Sequence, residues 1–223
     1  MIQPDITSVM EDYLKAIYHL LQKKGKANTN DLAKTMKVSA PTVTQMIKRL
    51  VDLKLVKHEP YKGVSLTSTG DKMALETIRH HRLIEQYLYE ALGVPWDKVH
   101  KEAEKLEHVI SEELENRIAE VLNHPTHDPH GSPIPSTDLV MKEEELHYLT
   151  DLNMETKGVI SEVPDEDSKL LCYLDELGLK PDTVFILKSV EPYGGAVVLE
   201  VSGKTIYIGS EAARQIKVRI LNG

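Results

Sequence analysis

The apolar residues change period several times between Thr7 and Thr67, and the order of those periods constrains the fold more tightly than any other feature of the chain. Ile6, Met10, Leu14, Ile17 and Leu21 recur at three-to-four spacing, with Tyr13 and Leu20 beside them. That pattern predicts a helix over residues 7–24, stopped by Gly25. A short helix is expected over 30–36, with Leu32, Ala33 and Met36 inward. Ser39 then reads as the N-cap of a third helix, in which Pro41 is tolerated in the first turn and Val43, Met46, Ile47 and Leu50 face the core. The period next drops to two, in Leu55-Val56-Lys57-His58-Glu59 and Val64-Ser65-Leu66-Thr67 around Pro60-Tyr61-Lys62-Gly63, which predicts a β-hairpin.

Helix, short helix, turn, helix, hairpin is the order of a winged helix-turn-helix, whose second helix of the pair lies in the DNA major groove. Its exposed face would offer Ser39, Pro41, Thr42, Thr44, Gln45, Lys48 and Arg49. Pro41 and the threonine methyls suit thymine methyls, and Gln45 suits adenine edges. Lys48, Arg49 and Lys62 of the wing suit phosphates. Charge supports this assignment. The whole chain carries −8, yet residues 23–72 hold 11 Lys/Arg against 4 Asp/Glu, a local +7 that leaves −15 on the remainder. A basic segment joined to an acidic one suggests that one part faces a polyanion and the other collects cations.

Beyond the hairpin, a long helix is expected over 68–92, broken by Gly93 and Pro95, then helices over 97–109 and 111–122. Residues 124–138 are rich in Pro, Gly, Ser and His and read as a loop, and 139–152 as partly helical and acidic. From Gly158 the period is that of strands, in five short runs interrupted by a helix over 168–177, which suits a small β-barrel. The fold class is therefore α+β. The lone Cys172 excludes a disulfide framework, no apolar run is long enough for a membrane span, and Met1-Ile2-Gln3-Pro4-Asp5 carries no secretory pattern. A cytoplasmic location and no membrane partner are expected.

The acidic part repeats metal-type donors at helical spacing. Glu104, Glu107 and His108 stand at i, i+3 and i+4, with His100 one turn earlier, and His81 and Glu85 form an i, i+4 pair. Asp12 lies on the first helix, and His124, His127 and His130 cluster with Asp128 in the loop. Carboxylate and imidazole together suit a divalent first-row metal, manganese more than softer ions. The competing explanation is a solvated face paired with Lys101 and Lys105.

Several segments together resemble the diphtheria toxin repressor family of metal-dependent regulators. They are Met10-Glu11-Asp12-Tyr13-Leu14, Ser39-Ala40-Pro41-Thr42-Val43-Thr44-Gln45, Leu66-Thr67-Ser68-Thr69-Gly70 and His80-His81-Arg82-Leu83-Ile84-Glu85. The match continues through Val99-His100-Lys101-Glu102-Ala103-Glu104-Lys105-Leu106-Glu107-His108 and Pro129-His130-Gly131-Ser132-Pro133-Ile134-Pro135. The resemblance implies a winged helix-turn-helix over 1–72, an all-α metal-binding and dimerisation domain over 73–140, a linker over 141–155, and an SH3-like barrel over 156–223. It implies one metal site of Asp12, Glu104, Glu107 and His108. A second would use His81, Glu85 and His100 with Glu166, or else Glu85 with Asp128 and His130. Iron-responsive members hold sulfur-bearing residues at the positions of Asp12 and Glu104. Two carboxylates there resemble the manganese-responsive branch.

The expected function is a homodimeric repressor of metal-uptake genes that binds double-stranded operator DNA when Mn2+ is bound. Fe2+ is the alternative, and other divalent ions are expected to substitute in vitro. The rival classes are a metal-independent winged-helix regulator and a metallohydrolase. No clear nucleophile favours the last, and no catalytic residue is assigned.

Overall fold

A computed structural model describes residues 6–59, 63–142 and 144–221. These fall into two compact units, and several helices and loops pass from one to the other.

The first unit comprises Met1–His81, Glu107–Ser111 and Pro135–Met141. Helix α1 (Ser8–Lys24) ends where Gly25 takes a left-handed φ of 68° and its N–H returns to the Leu21 carbonyl. In α2 (Thr29–Thr35) the Asn28 side chain caps Asp31 N, and in α3 (Ala40–Asp52) the Ser39 side chain caps Thr42 N. Strands β1 (Val56–Glu59) and β2 (Gly63–Leu66) form the antiparallel wing. Met10, Leu14, Ile17, Leu32, Val43, Ile47, Leu50 and Val64 make one buried core, joined by Ala74 and Ile78 of α4 (Ser68–Glu90). Each such side chain contributes about 1.5–3 kcal/mol on leaving water. The core therefore fixes α3 to α1, so whatever grips α1 also holds the reading helix.

The second unit holds Arg82–Leu106, Glu112–Ile134 and Lys142–Gly223. It carries the end of α4, then α5 (Val99–Leu106) and α6 (Glu112–Val121). Its sheet is a six-stranded antiparallel array in the order β3-β8-β4-β5-β6-β7. The strands are β3 (His147–Tyr148), β4 (Lys157–Glu162), β5 (Val184–Val190), β6 (Ala196–Val201), β7 (Lys204–Gly209) and β8 (Lys217–Ile220). Helix α7 (Ser168–Glu176) and the short α8 (Ser210–Ala213) fill the connections. Phe185, Leu187, Leu199, Ile208 and Val218 pack with Trp96 in one core.

Two elements differ from the sequence reading. The helix expected over 97–109 begins at Val99 and ends at Leu106, and just beyond its end the Glu107 carbonyl lies 3.2 Å from His80 Nδ1. The described residues of 139–152 hold no α-helix. They supply β3, which pairs with β8, and a single 3-10 turn whose Leu149 is fully buried.

Candidate metal centres and DNA-reading helix

On α3, Ser39, Pro41, Thr42, Thr44, Gln45, Lys48 and Arg49 are all exposed, while Val43, Ile47 and Leu50 are buried. Ser39 and Thr42 share a hydroxyl hydrogen bond of 2.8 Å, and Thr44 Oγ1 donates to the Ala40 carbonyl at 3.0 Å. Gln45, Lys48 and Arg49 therefore present the longest polar reach of this face. Lys62 lies outside the described residues.

Behind this head, Asp12, Glu107 and His108 bring metal-type donor atoms within 4.8 Å of one another. Asp12 comes from α1, the other two from the turn after α5. His108 Nδ1 lies 2.6 Å from Glu11 Oε2, and Nε2 lies 3.0 Å from Asp12 Oδ1 and 3.3 Å from Glu107 Oε1. The contact with Glu11 orients the imidazole and aims Nε2 at two carboxylates. Separations near 3 Å are what neighbouring ligands show around a small divalent ion held at about 2.1 Å. Glu107 is almost wholly buried and also bonds Lys15 through Oε1 and His81 Nδ1 through Oε2. Burial opposes its ionisation, but the hydrogen bond and charge of His81 and the Lys15 ammonium outweigh it. Its carboxyl is held below the ordinary range.

Glu104 was expected here and does not join this cluster. Glu104 is exposed, with its carboxylate 3.7 Å from His100 Nε2.

A second cluster gathers Glu85, Asp128, His130 and Asp165, again with donors within 4.8 Å. The first three are buried. The loop builds it tightly. Asp128 Oδ1 accepts from the backbone N–H groups of His130 (2.8 Å) and Ser132 (3.0 Å), and Gly131 adopts φ 87°. A Cβ at Gly131 would stand 1.8 Å from the Ser161 carbonyl oxygen, so only glycine lets this loop lie against β4. His130 O accepts from Val163 N at 2.9 Å.

The His130 ring stacks on Trp96 (centroids 5.5 Å apart, 23° between planes), and its Nε2 donates to the Trp96 carbonyl at 3.1 Å. Nδ1 is thereby aimed inward, 3.8 Å from Glu85 Oε2. Neither His130 Nδ1 nor Asp128 Oδ2 has a hydrogen-bond partner, although both are buried. Buried polar atoms left so are rare and costly. Carboxylates and an imidazole nitrogen converging at this spacing fit a divalent cation. Burial and the neighbouring Glu85 push the Asp128 carboxyl up to about 7. Burial alone would depress the His130 imidazolium, but Glu85, Asp128 and Asp165 raise it instead.

His100 Nδ1 borders this cluster, 3.0 Å from Glu85 Oε1 and 3.7 Å from Asp165 Oδ2. His81 is buried and held by Glu107. Glu166 was the expected contribution of the barrel, but it is exposed and Asp165 takes that place. Two residues on, Asp167 caps α7 by accepting from Lys169 N and Leu170 N. Sequence reading also passed over Glu11 and Lys15, which stand beside Asp12 and one turn beyond it on α1. Of the loop histidines, His127 pairs with Glu144 (3.2 Å) and joins neither cluster.

Three family models match the chain. They are the N-terminal DNA-binding domain of iron-dependent repressors over residues 5–64, the metal-binding and dimerisation domain of the same repressors over 67–136, and the FeoA domain over 147–220. The chain is 30% identical over 226 residues to the iron-dependent repressor IdeR of Mycobacterium leprae, spanning 96% of this chain and 98% of that protein. Among solved structures it is similar to a manganese-dependent transcriptional repressor in complex with manganese. That match has a TM-score of 0.89 and 34% identity, and covers 95% of this chain and 100% of the other. ScaR with bound Cd2+ matches at a TM-score of 0.80 and 32% identity, covering 95% and 99%.

Proposed function

This chain belongs to the iron-dependent repressor family, whose members are metal-dependent DNA-binding transcriptional repressors with a dimerisation domain, and from that premise we propose that Mn2+ is its signal and that both clusters hold it. The observation that carries this reading is common to both clusters. In each, one histidine nitrogen is committed to a fixed partner, Glu11 or the Trp96 carbonyl, and the other faces carboxylate oxygens at a spacing that suits a cation. All donors are oxygen or imidazole nitrogen, and no sulfur is among them, which favours Mn2+ over softer ions. Likeness to a manganese-bound repressor points the same way. The iron-named relatives sustain Fe2+ as the second reading.

Asp12, Glu107 and His108 would hold one ion, and Glu85, Asp128, His130 and Asp165 the other. The bound ion supplies positive charge shared among these donors. Asp12 rides on α1, whose core also holds α3, so fixing Asp12 against Glu107 and His108 fixes the reading helix. In a dimer this sets the spacing of two recognition helices, which must match about one DNA turn, roughly 34–36 Å. Leu114 and Val121, exposed and seven residues apart on α6, suit the dimer face. The functional blocks proposed are DNA reading over 1–72, metal binding and dimerisation over 73–140, and the barrel, with the linker expected over 141–155 ending before β3 at His147, which belongs to the barrel's sheet. The setting is cytoplasmic, and the genes controlled are those of metal uptake.

The test is fluorescence anisotropy with promoter DNA at fixed salt, first in chelator and then with Mn2+ or Fe2+ added, since phosphate contacts make affinity steeply salt-dependent. DNA binding should appear with Mn2+ at least as readily as with Fe2+, and Asp12→Ala should lose it while staying folded. Equal binding in chelator would refute metal control, and a response to Fe2+ alone would select the second reading.

A further inference from the structure

Glu107 Oε1 faces two ways. It is the oxygen nearest His108 Nε2, at 3.3 Å, and it is also the oxygen bonded by the Lys15 ammonium. Its other oxygen is bonded by His81 Nδ1. Both oxygens of this buried carboxylate are therefore engaged by the chain's own nitrogens. Lys15 sits three residues after Asp12, on the same face of α1. Its side chain is 19% exposed, against 1% for Glu107, so the ammonium lies at the rim and Glu107 at the floor.

We propose that Lys15 is a resident counter-cation of this cluster, and that a divalent ion enters by displacing it from Glu107. An ammonium and a divalent cation on one carboxylate oxygen repel strongly at low dielectric. The flexible four-carbon stem lets the ammonium swing out to water without moving α1. Lys15 thus sets the metal concentration at which the reading head becomes fixed. A monovalent ion competes poorly with a charge already in place, whereas a divalent ion brings twice that charge. The carboxylates keep a partner in either state, so the head stays folded without metal. Lys15 is a positioning residue on this view. It tunes the threshold and is not a ligand.

This inference rests on reading Asp12, Glu107 and His108 as a metal site, and the experiment separates the two. Calorimetric titration of the full chain with Mn2+ should give two ions per chain in the wild type and one in Asp12→Ala. If Asp12→Ala still binds two, the site reading falls and Lys15 falls with it. Given that assignment, Lys15→Gln should bind the ion lost in Asp12→Ala roughly 10- to 100-fold more tightly, in the range of measured coupling between sites. It should also occupy promoter DNA at Mn2+ levels that leave the wild type free. Unchanged or weaker affinity at that site in folded Lys15→Gln overturns the proposal. Amine-reactive footprinting of the wild type provides a check that needs no variant. Lys15 should be protected in chelator and become reactive with Mn2+, and protection that Mn2+ does not alter also overturns it.

Discussion

The two clusters are made of the same kinds of side chain and are solved in opposite ways. Around Glu107 the chain supplies the Lys15 ammonium and the His81 imidazole, and the buried carboxyl is held below its ordinary range. Around Asp128 the nearest fixed cation is Arg82, whose Nε is 3.7 Å away, beyond hydrogen-bond reach, and the carboxyl is pushed up to about 7. Burial acts on both. The sign of the shift is decided by whether an opposite charge touches the carboxylate or only stands near it. The lesson is that a metal-ready cluster need not be a charge-starved one. The first is self-compensated and exchanges one cation for another. The second is held open by backbone geometry, with unpartnered atoms on Asp128 and His130.

The largest effect should come from removing that backbone geometry. Gly131→Ala places a Cβ into the Ser161 carbonyl at a φ of 87°. We expect a loss above about 3 kcal/mol from steric overlap and left-handed strain together. The ion of the Asp128 cluster should be lost and that of the Glu107 cluster kept, as read by Mn2+ stoichiometry and thermal unfolding in chelator. Trp96 is the sole tryptophan and stacks on His130, so its fluorescence reports this cluster directly. If Gly131→Ala keeps both ions and wild-type fluorescence, the loop does not build the site.

A pair of isosteric substitutions tests the contrast by sign. Glu107→Gln strips Lys15 and His81 of their charge partner and should cost the metal-free protein about 3 kcal/mol, as breaking one side of a buried pair does. Asp128→Asn keeps an oxygen for the His130 and Ser132 N–H groups but removes a charge that burial and Glu85 oppose. It should stabilise the metal-free protein at pH 7.5, by no more than the roughly 4 kcal/mol that a rise from 3.8 to about 7 is worth. Chemical denaturation in chelator measures both. Shifts of the same sign would erase the distinction between the clusters.

The reading head was legible because its evidence is local. Periodicity, the Ser39 cap and the hairpin are written in consecutive residues, and α1, α3 and the wing follow them closely. The clusters were legible only as a list of donors. Asp165 was out of reach because its partners in the cluster, Glu85, Asp128 and His130, are distant in the chain. Glu11 and Lys15 were passed over because charged residues on an amphipathic helix are normally solvated. Their partners are distant in the chain, Lys15 and Glu107 being 92 positions apart.

The smallest and most discriminating effect is that of pH on metal uptake. Asp128 titrates near 7 in the folded chain, above its ordinary value of 3.8, so between about 4 and 7 the native state binds more protons than the unfolded one. Its contribution to metal-free stability is complete below about 4 and lost as pH rises to about 7. Glu107 has the opposite sign. Its contribution is present above the ordinary carboxylate range and is lost only as pH falls through its depressed value. Ligands must be deprotonated to bind a cation, so Mn2+ must expel a proton from Asp128 below pH 7 and finds Glu107 already ionised. Affinity at the Asp128 cluster should therefore rise between pH 6 and 7, by up to about tenfold per unit for each proton expelled. Calorimetry at pH 6.5 in buffers of different ionisation heat counts those protons, and Glu85→Ala identifies the site from which they come. Net proton release at pH 6.5 that is lost in Glu85→Ala would sustain the contrast. Proton release that survives Glu85→Ala unchanged would place the titrating group elsewhere and remove the electrostatic difference on which the comparison stands.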